Sequence, residues 1–468
     1  MSTLDDLSKR RASLSPAKRA LLAKIARGHE GPKGATYAHT IPRREAHQDA
    51  PLSFLQEWYL PQQDTMPSAV TIQGEIEQAL LEQCIQHIVQ RHESLRTVFP
   101  LIENQLVQVI VPSLRLPLLI EDLRSLPEGE REAEASRQAY QENYRVFDMQ
   151  QGPLIHLRLL RLTDDTYLFI FTLHHIIADG WSIAQFFREL LVLYEAALMG
   201  VPPQLPDLPI QYADYASWQR RELQGAKLDA YLNYWKDYLQ DRAVLQVRTD
   251  HPRTTDYTLK RASIRFHIAD AQANGLKSVS RQEESTVFMT LVAAYALLLS
   301  THSGQEDILL GFGISNRSLH ETENVIGVFG NVLPLRIDVS GQPAFRQLLR
   351  RVQQSTLGVF DHQDLAYEQV MQAIEPEWNI SQHPLLPVKF VLQNESSLNR
   401  TRTKAGLTMR PQRVFSPLEW FELNMIIYDT DEGMLGELEY NTALFAEATV
   451  ARMVAEYQAL LEQILSNA

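Results

Sequence analysis

The chain has 468 residues, 45% hydrophobic and 22% charged, an ordinary globular mixture that at roughly 150 residues per domain makes two or three core units. Lys and Arg number 44 against 57 Asp and Glu, a net charge of -13, so the basic total of a nucleic-acid binder is missing. Cys84 is the single cysteine, which excludes an intrachain disulfide and a thiolate metal cluster, and no apolar run approaches the roughly 18 residues needed to span a bilayer. Met1 to Arg11 is polar, without the apolar core of a secretory signal. The expectation is a cytoplasmic protein with no nucleic-acid and no membrane partner.

Residues 1–45 read as an N-terminal linker or docking appendage. Its basic stretch (Lys9, Arg10, Arg11, Lys18, Arg19) is short and follows Asp5 and Asp6, as a solvated helix does. Ser15-Pro16 opens a helix over residues 18–26, and Gly28, Gly31, Pro32 and Gly34 break it. The periodicity then predicts a helix over 77–91, with Cys84 on its apolar face, and a strand over 106–111. A polar helix follows over 130–144. Strands over 155–162 and 167–173 are joined by a turn at Asp164-Asp165, and a helix runs over 181–198. Pro202, Pro203, Pro206 and Pro209 mark a boundary, because proline cannot sit inside regular elements. A helical connector covers 212–239. The second half has strands over 261–267, 308–312, 332–339 and 388–392, and helices over 287–300 and 345–360. A hairpin covers 421–440, tipped by Asp431-Glu432-Gly433, and the last helix covers 446–465. The fold class is α/β with mixed sheets, in two units of similar size.

The stretch that carries chemistry is Phe169 to Ser182, FIFTLHHIIADGWS: an apolar strand, two histidines, Asp179-Gly180, then a helix. Neighbouring side chains on a strand point to opposite faces, so His174 and His175 address different surroundings. That argues against one metal held by both, and no HExxH spacing supplies further ligands; no metal is expected. Two core histidines held by hydrogen bonds is the plain alternative. It is weakened by Asp179, a carboxylate at a Gly turn five residues after His174. No GxSxG elbow marks a serine nucleophile, so a base at His175 would act on a nucleophile brought by the substrate.

The motif His174-His175-Ile176-Ile177-Ala178-Asp179-Gly180 resembles the HHxxxDG signature of the condensation domains of non-ribosomal peptide synthetases. The similarity extends in order along residues 48–466: residues 51–56 (PLSFLQ), 91–99 (RHESLRTVF), 212–219 (YADYASWQ), 326–336 (IGVFGNVLPLR), His362-Gln363-Asp364 with Tyr367-Glu368, and Glu439-Tyr440-Asn441-Thr442 with Leu444-Phe445. The resemblance implies two chloramphenicol-acetyltransferase-like lobes in a V with a tunnel between them: an N-terminal lobe over 46–220 and a C-terminal lobe over 221–468. It implies that the acceptor's α-amine attacks a donor thioester and forms a peptide bond. Both substrates ride on the phosphopantetheine arms of donor and acceptor peptidyl carrier proteins, and the chain itself binds no cofactor. An adjacent adenylation domain is a further implied partner.

The same resemblance assigns roles. His175 faces the tunnel as general base or as the group that positions the amine, and His174 supports the loop. Asp179 pairs with Arg317 of Ser315-Asn316-Arg317 in the other lobe, and Gly180 lets backbone approach the substrate. Arg96 lies near the site or is satisfied by a local carboxylate. Trp181, Ser182 and Asn331 line or support the tunnel. Glu57-Trp58-Tyr59-Leu60 departs from the family's Arg-Leu-Trp-Phe, Asn316 stands where Gly is common, and Gly330 replaces an aromatic or Val. Two other readings stay open: a free-standing acyltransferase making an amide or ester with a non-carrier acceptor, and a non-catalytic module that recruits partners. No GxxxxGK[ST] loop occurs, so the chain is expected neither to activate amino acids nor to bind ATP.

Overall fold

The computed structural model describes residues 41–45, 49–62, 64–253, 261–375, 386–394, 401–402, 406–412, 414, 421–430 and 433–466. The expected helix over 18–26 and most of the hairpin tip, Asp431-Glu432, lie outside the described residues. The longer strands of the two main sheets, in chain order, are β1 (Thr65–Gln73), β2 (Leu118–Asp122), β3 (Ile155–Arg161), β4 (Thr166–His174), β5 (Arg261–Ala269), β6 (Asp307–Ile314), β7 (Asn331–Asp338), β8 (Val388–Asn394), β9 (Thr408–Gln412), β10 (Leu423–Thr430) and β11 (Gly433–Asn441); the strand expected over 106–111 is Gln105–Ile110, in a separate small sheet. The helices are α1 (Phe54–Tyr59), α2 (Gln78–Arg91), α3 (Glu128–Gln141), α4 (Gly180–Leu198), α5 (Tyr212–Glu222), α6 (Gly225–Tyr238), α7 (Asp270–Gln282), α8 (Val287–Ser303), α9 (Phe345–Phe360), α10 (Tyr367–Ile374) and α11 (Glu447–Ser466).

Two six-stranded sheets organise these elements, and both are mixed. In the first, the order is Thr401–Arg402, β9, β1, β4, β3, β2, antiparallel except for β2 beside β3. In the second it is β7, β6, β8, β10, β11, β5, with β8 parallel to both its neighbours. Among the described residues no single helix is long and apolar enough to cross a membrane. The most apolar one, α8, is buried along most of its length as a core helix.

Strand β9 crosses the divide expected at residue 220, which itself falls inside α5. It comes from the second half yet pairs with β1 of the first, Thr408 opposite Gln73 and Gln412 opposite Ala69. The hydrophobic cores interpenetrate in the same way. Phe54 and Leu55 of α1 sit in the core of the second half, with Tyr212 and Tyr215 of α5, while Ile326 sits in the core of the first half. Cys84 is buried there too, and burial pushes its thiol up to about 11, which keeps it an unreactive core residue.

Six of these elements were not expected from the sequence: α1, β1, β2, α7, α10 and β9. β1 contains Pro67, which cannot donate to a ladder; β9 pairs with β1 only from Ala69 to Gln73, so at Pro67 that edge carries no partner strand among the described residues. β2 is a short edge strand with Leu119 and Ile120 exposed, a weak alternation. Helix α7 carries Gly275, Asn274 and Ser278, all poor helix formers. Its reason is tertiary: a Cβ at Gly275 would come within 2.8 Å of the Leu465 side chain, so the missing side chain lets α11 approach. Helix α10 is only eight residues long, yet buries Val370 and Met371. The single connector expected over 212–239 is two helices, broken at Gly225, whose φ of +52° is left-handed.

Gly436 in β11 lies opposite Phe266 of β5, and a Cβ built there would sit 2.1 Å from the phenyl ring. Gly436→Ala is expected to destabilise the fold by about 1–3 kcal/mol through overpacking. Adding Phe266→Leu should recover part of that loss. Thermal melting of the single and double variants checks both.

Candidate functional site

The apolar strand β4 runs through the middle of the first sheet and ends at His174; His175 to Ile177 then make one 3-10 turn, and Asp179 caps α4. His174 is fully buried. Its Nε2 donates to the carbonyl of Gln62 at 2.8 Å, and its Nδ1 accepts the Ile176 N–H at 3.1 Å. A carbonyl only accepts, so these two bonds fix the neutral tautomer with hydrogen on Nε2. Burial brings this imidazole down to about 4, against the opposing pull of the Gln62 bond. His175 is the partly exposed member of the pair. Its ring lies flat on Tyr59, with centroids 4.1 Å apart and planes 7° from parallel, and its Nδ1 is buried with no hydrogen-bond partner among the described residues. The two rings thus diverge, but His175 stands on the 3-10 turn that follows β4 and not on the strand whose alternation was the expected cause.

Asp179 is buried and faces the other half of the molecule. Arg317 clamps it with Nη1 to Oδ2 at 2.7 Å and Nη2 to Oδ1 at 3.1 Å. Ser182 donates its N–H and its hydroxyl to Oδ1, each at 2.8 Å, and the N–H groups of Phe329 and Gly330 reach Oδ2 at 3.0 and 2.9 Å. Burial alone would push this carboxyl up; the Arg317 charge and the bonds to the carboxylate outweigh it and hold it below the usual range. Arg317 also lies over the Phe329 ring at 4.4 Å. Tyr212 closes the arrangement from below, its hydroxyl on the Val328 carbonyl at 2.8 Å and on Ser53 Oγ at 2.7 Å. A Cβ at Gly327 would strike the Tyr212 ring at 1.9 Å, so glycine alone fits there. Ile326 plugs into the core of the first half, its carbonyl accepting from Ser94 Oγ at 2.7 Å.

The remaining sequence candidates divide. Ser182 belongs to the Asp179–Arg317 cluster, its hydroxyl also within 2.8 Å of the Gly327 carbonyl. Trp181 is exposed and donates to the Glu323 carbonyl at 2.9 Å, across the seam. Gly180 starts α4 in open space, with nothing within 4 Å of where a Cβ would stand. Asn331 is buried and supports the turn before α10: its amide donates to the Leu365 carbonyl at 2.7 Å and its oxygen accepts the Tyr367 N–H at 3.3 Å. Arg96 donates to the Val111 carbonyl at 2.7 Å and stands 3.9 Å from Glu93, so its described partners are local. Among the described residues, no group of three or more His, Cys, Asp and Glu is placed to hold a metal.

Sequence reasoning missed Tyr59, although it stands in the stretch that departs from the family pattern. It also missed Gln62 and Asp64, which act through backbone: Asp64 accepts the His175 N–H at 2.9 Å, and Gln62 holds His174. Backbone groups leave no residue-type signal. His92 and Glu189, a buried pair at 2.9 Å, were passed over too; His92 Nδ1 accepts the Ile326 N–H at 3.4 Å and so touches the plug.

A family model described as Condensation domain matches residues 46–468. A linear gramicidin synthase protein of Brevibacillus parabrevis is 42% identical over 442 residues, covering 92% of this chain and 8% of that protein. The chain therefore spans less than a tenth of that relative's length. Among solved structures, the X-domain from teicoplanin biosynthesis superposes with a TM-score of 0.78 at 21% identity, over 91% of this chain and 97% of that one. The condensation domain from Monacolin K polyketide synthase MokA does so with 0.76 at 19% identity, over 90% and 98%. The fold expected from the motifs, two acetyltransferase-like lobes built on mixed sheets, is the fold found.

Asp179→Ala leaves Arg317 charged and buried, and is expected to cost about 3–5 kcal/mol. Asp179→Leu with Arg317→Met removes both charges and should melt above Asp179→Ala; a double variant melting no higher would show that the pair is not what binds the halves. His174 supplies a second expectation. Its folded value of about 4 lies below the usual 6.5, so the unfolded chain binds more protons between the two. Its stabilising contribution is complete above the unfolded value and is lost as pH falls toward 4. His174→Asn should melt lower at neutral pH and lose less on acidification over that window, as melting curves from pH 7 to 4 will show.

Proposed function

The chain belongs to the condensation-domain family, and from that membership we propose that it joins two carrier-bound substrates in non-ribosomal peptide synthesis. The family's domains are acyltransferase-type catalysts. In this reading the donor is an acyl or peptidyl thioester on one carrier's phosphopantetheine arm, and the acceptor an aminoacyl group on another's. The amine nitrogen attacks the thioester carbonyl carbon, the C–N bond forms, the C–S bond breaks, and the amine's proton ends on the departing sulfur. No net proton is gained or lost. An adenylation domain elsewhere in a synthetase would load the acceptor carrier.

The observation that carries the reading is a partly exposed His175 four positions before an Asp179 locked by six hydrogen bonds. Lobes over 46–220 and 221–468 would meet at that pair, with His175 at the tunnel between them. His174, Asp179, Arg317 and Ser182 hold the turn; Asn331 holds the loop behind it; Gly180 and Trp181 form the mouth, where open space beside Gly180 suits a passing pantetheine arm. Arg96 is placed as support for the adjoining strand. Orienting two tethered reactants supplies much of the rate, since proximity is worth roughly 7–11 kcal/mol.

A recruiting module is the second reading, prompted by a solved X-domain of this fold that is found in complex with OxyB. The complete histidine motif speaks for catalysis. Offering loaded carrier proteins pairwise and weighing the products by mass spectrometry decides between them: catalysis gives a condensed product on the acceptor carrier, recruitment gives none. His175→Ala is expected to lower turnover about 10²–10⁴-fold while melting as the parent does. Amino-acid-dependent pyrophosphate exchange should stay at background.

A further inference from the structure

We propose that Tyr59 is a positioning residue that holds His175 in the tautomer with its hydrogen on Nε2, so that His175 meets the reacting thioester as a hydrogen-bond donor. The proposal rests on the condensation reading above and gives His175 a role different from the two the resemblance implied, base and amine-positioning group. Three observations lead to it.

The first is the stack itself. Two rings 4.1 Å apart and 7° from parallel leave the imidazole free to slide or spin only at the expense of that contact. The second is the rigidity of the platform. Helix α1 is closed by a capping box in which Ser53 and Gln56 bond each other's backbone. The Gln56 amide reaches Gln108 Oε1 at 2.9 Å and the Ile176 carbonyl at 3.4 Å, so α1 is tied to the turn that bears His175. After α1 the Gln62 side chain bonds the Trp58 carbonyl at 2.8 Å, and Gln62 and Asp64 hold the two histidines through backbone. Tyr59 also packs against the cores of both halves. The ring plane of His175 is therefore set by the fold.

The third is what that plane does to the two nitrogens. Nδ1 is buried and has no hydrogen-bond partner among the described residues. A neutral imidazole carries one N–H and one lone pair. An N–H buried without an acceptor loses its hydration with nothing in return, and such orphan donors are rarer than unpaired acceptors. The hydrogen belongs on Nε2, the nitrogen left to meet the substrates. His174 adopts the same tautomer for a visible reason, its Nδ1 accepting the Ile176 N–H. A base would need the opposite arrangement, with a free lone pair on Nε2. The donor acts instead on the thioester carbonyl oxygen as charge develops there during amine attack. The C–N bond forms, the C–S bond breaks, and the ammonium proton passes to the thiolate, so no proton has to rest on His175.

Ring nitrogen-15 spectra of the full chain, labelled at histidine, read the tautomer directly. The His175 signals are assigned by their loss in His175→Gln. The expected result is an unprotonated Nδ1 and a protonated Nε2 in the parent. The same pattern is expected in Tyr59→Phe, which keeps the ring, and a tautomer-averaged pattern in Tyr59→Leu. A protonated Nδ1 in the parent overturns the proposal, and an unshifted spectrum in folded Tyr59→Leu removes Tyr59 from it. Turnover with loaded carriers supplies the second arm. Gln places an amide N–H where Nε2 stands, whereas Asn places it near Nδ1. Loss of one oxyanion donor costs about 10²–10³-fold, so His175→Asn should fall by that much and His175→Gln by clearly less. Equal loss in both marks a base and overturns the donor role. A parent chain that condenses no carrier pair counts against the condensation reading alone, and the nitrogen spectra still decide the tautomer.

Discussion

The ion pair between Asp179 and Arg317 is the constraint on which the arrangement of the molecule depends. It joins residues 138 positions apart, one at the head of a helix in the first half, the other just after a strand in the second. Two charges removed from water are stable only when their remaining valences are filled. On the carboxylate they are: it receives two bonds from the guanidinium, two from Ser182 and two from the backbone of the 329–330 turn, while Arg317 Nε is buried without a partner among the described residues. The backbone donors matter most for geometry, because they force the 325–330 loop to approach the helix head closely. That approach in turn requires Gly327, over which the Tyr212 ring lies. One buried charge thus dictates a glycine, an aromatic and a serine at long sequence separation.

Around that pair the two halves do not merely touch. Each contributes a piece to the other's core, Phe54 and Leu55 one way and Ile326 the other. Exchanged apolar residues make relative sliding costly, because each would leave a cavity in a close-packed interior. The histidine turn sits where these exchanges meet, and its orientation is inherited from both cores. A site with few side chains of its own gains rigidity in this way, which is what positioning two tethered substrates asks of it.

Much of this was legible in the sequence, for identifiable reasons. The long apolar strand into His174-His175, the Asp-Gly turn and the amphipathic α4 carry strong periodicity, and the motif order located Arg317 as the partner of Asp179. What escaped was of two kinds. Pro67 in β1 and Gly275 in α7 contradict local propensity, and only their surroundings (a stretch of sheet edge where no described strand pairs, a helix approaching closely) make them acceptable. The grip on the histidines escaped because it is made by carbonyls of Gln62 and Asp64, atoms that every residue possesses. Arg96 illustrates the converse: a charged residue inside a strong motif whose described contacts are local.

The crossing strand β9 has a consequence for synthesis on the ribosome. Its partner edge on β1 emerges some 335 residues earlier, as Gln73 pairs with Thr408. At roughly 5–20 residues per second, the nascent first half waits on the order of tens of seconds with that edge uncovered. An open edge is a template for pairing with other chains. The exposed interval is longest for the strand next to β4, whose far end bears the histidines. Elongation speed and chaperone cover over this stretch therefore bear on how much of the protein reaches an active form.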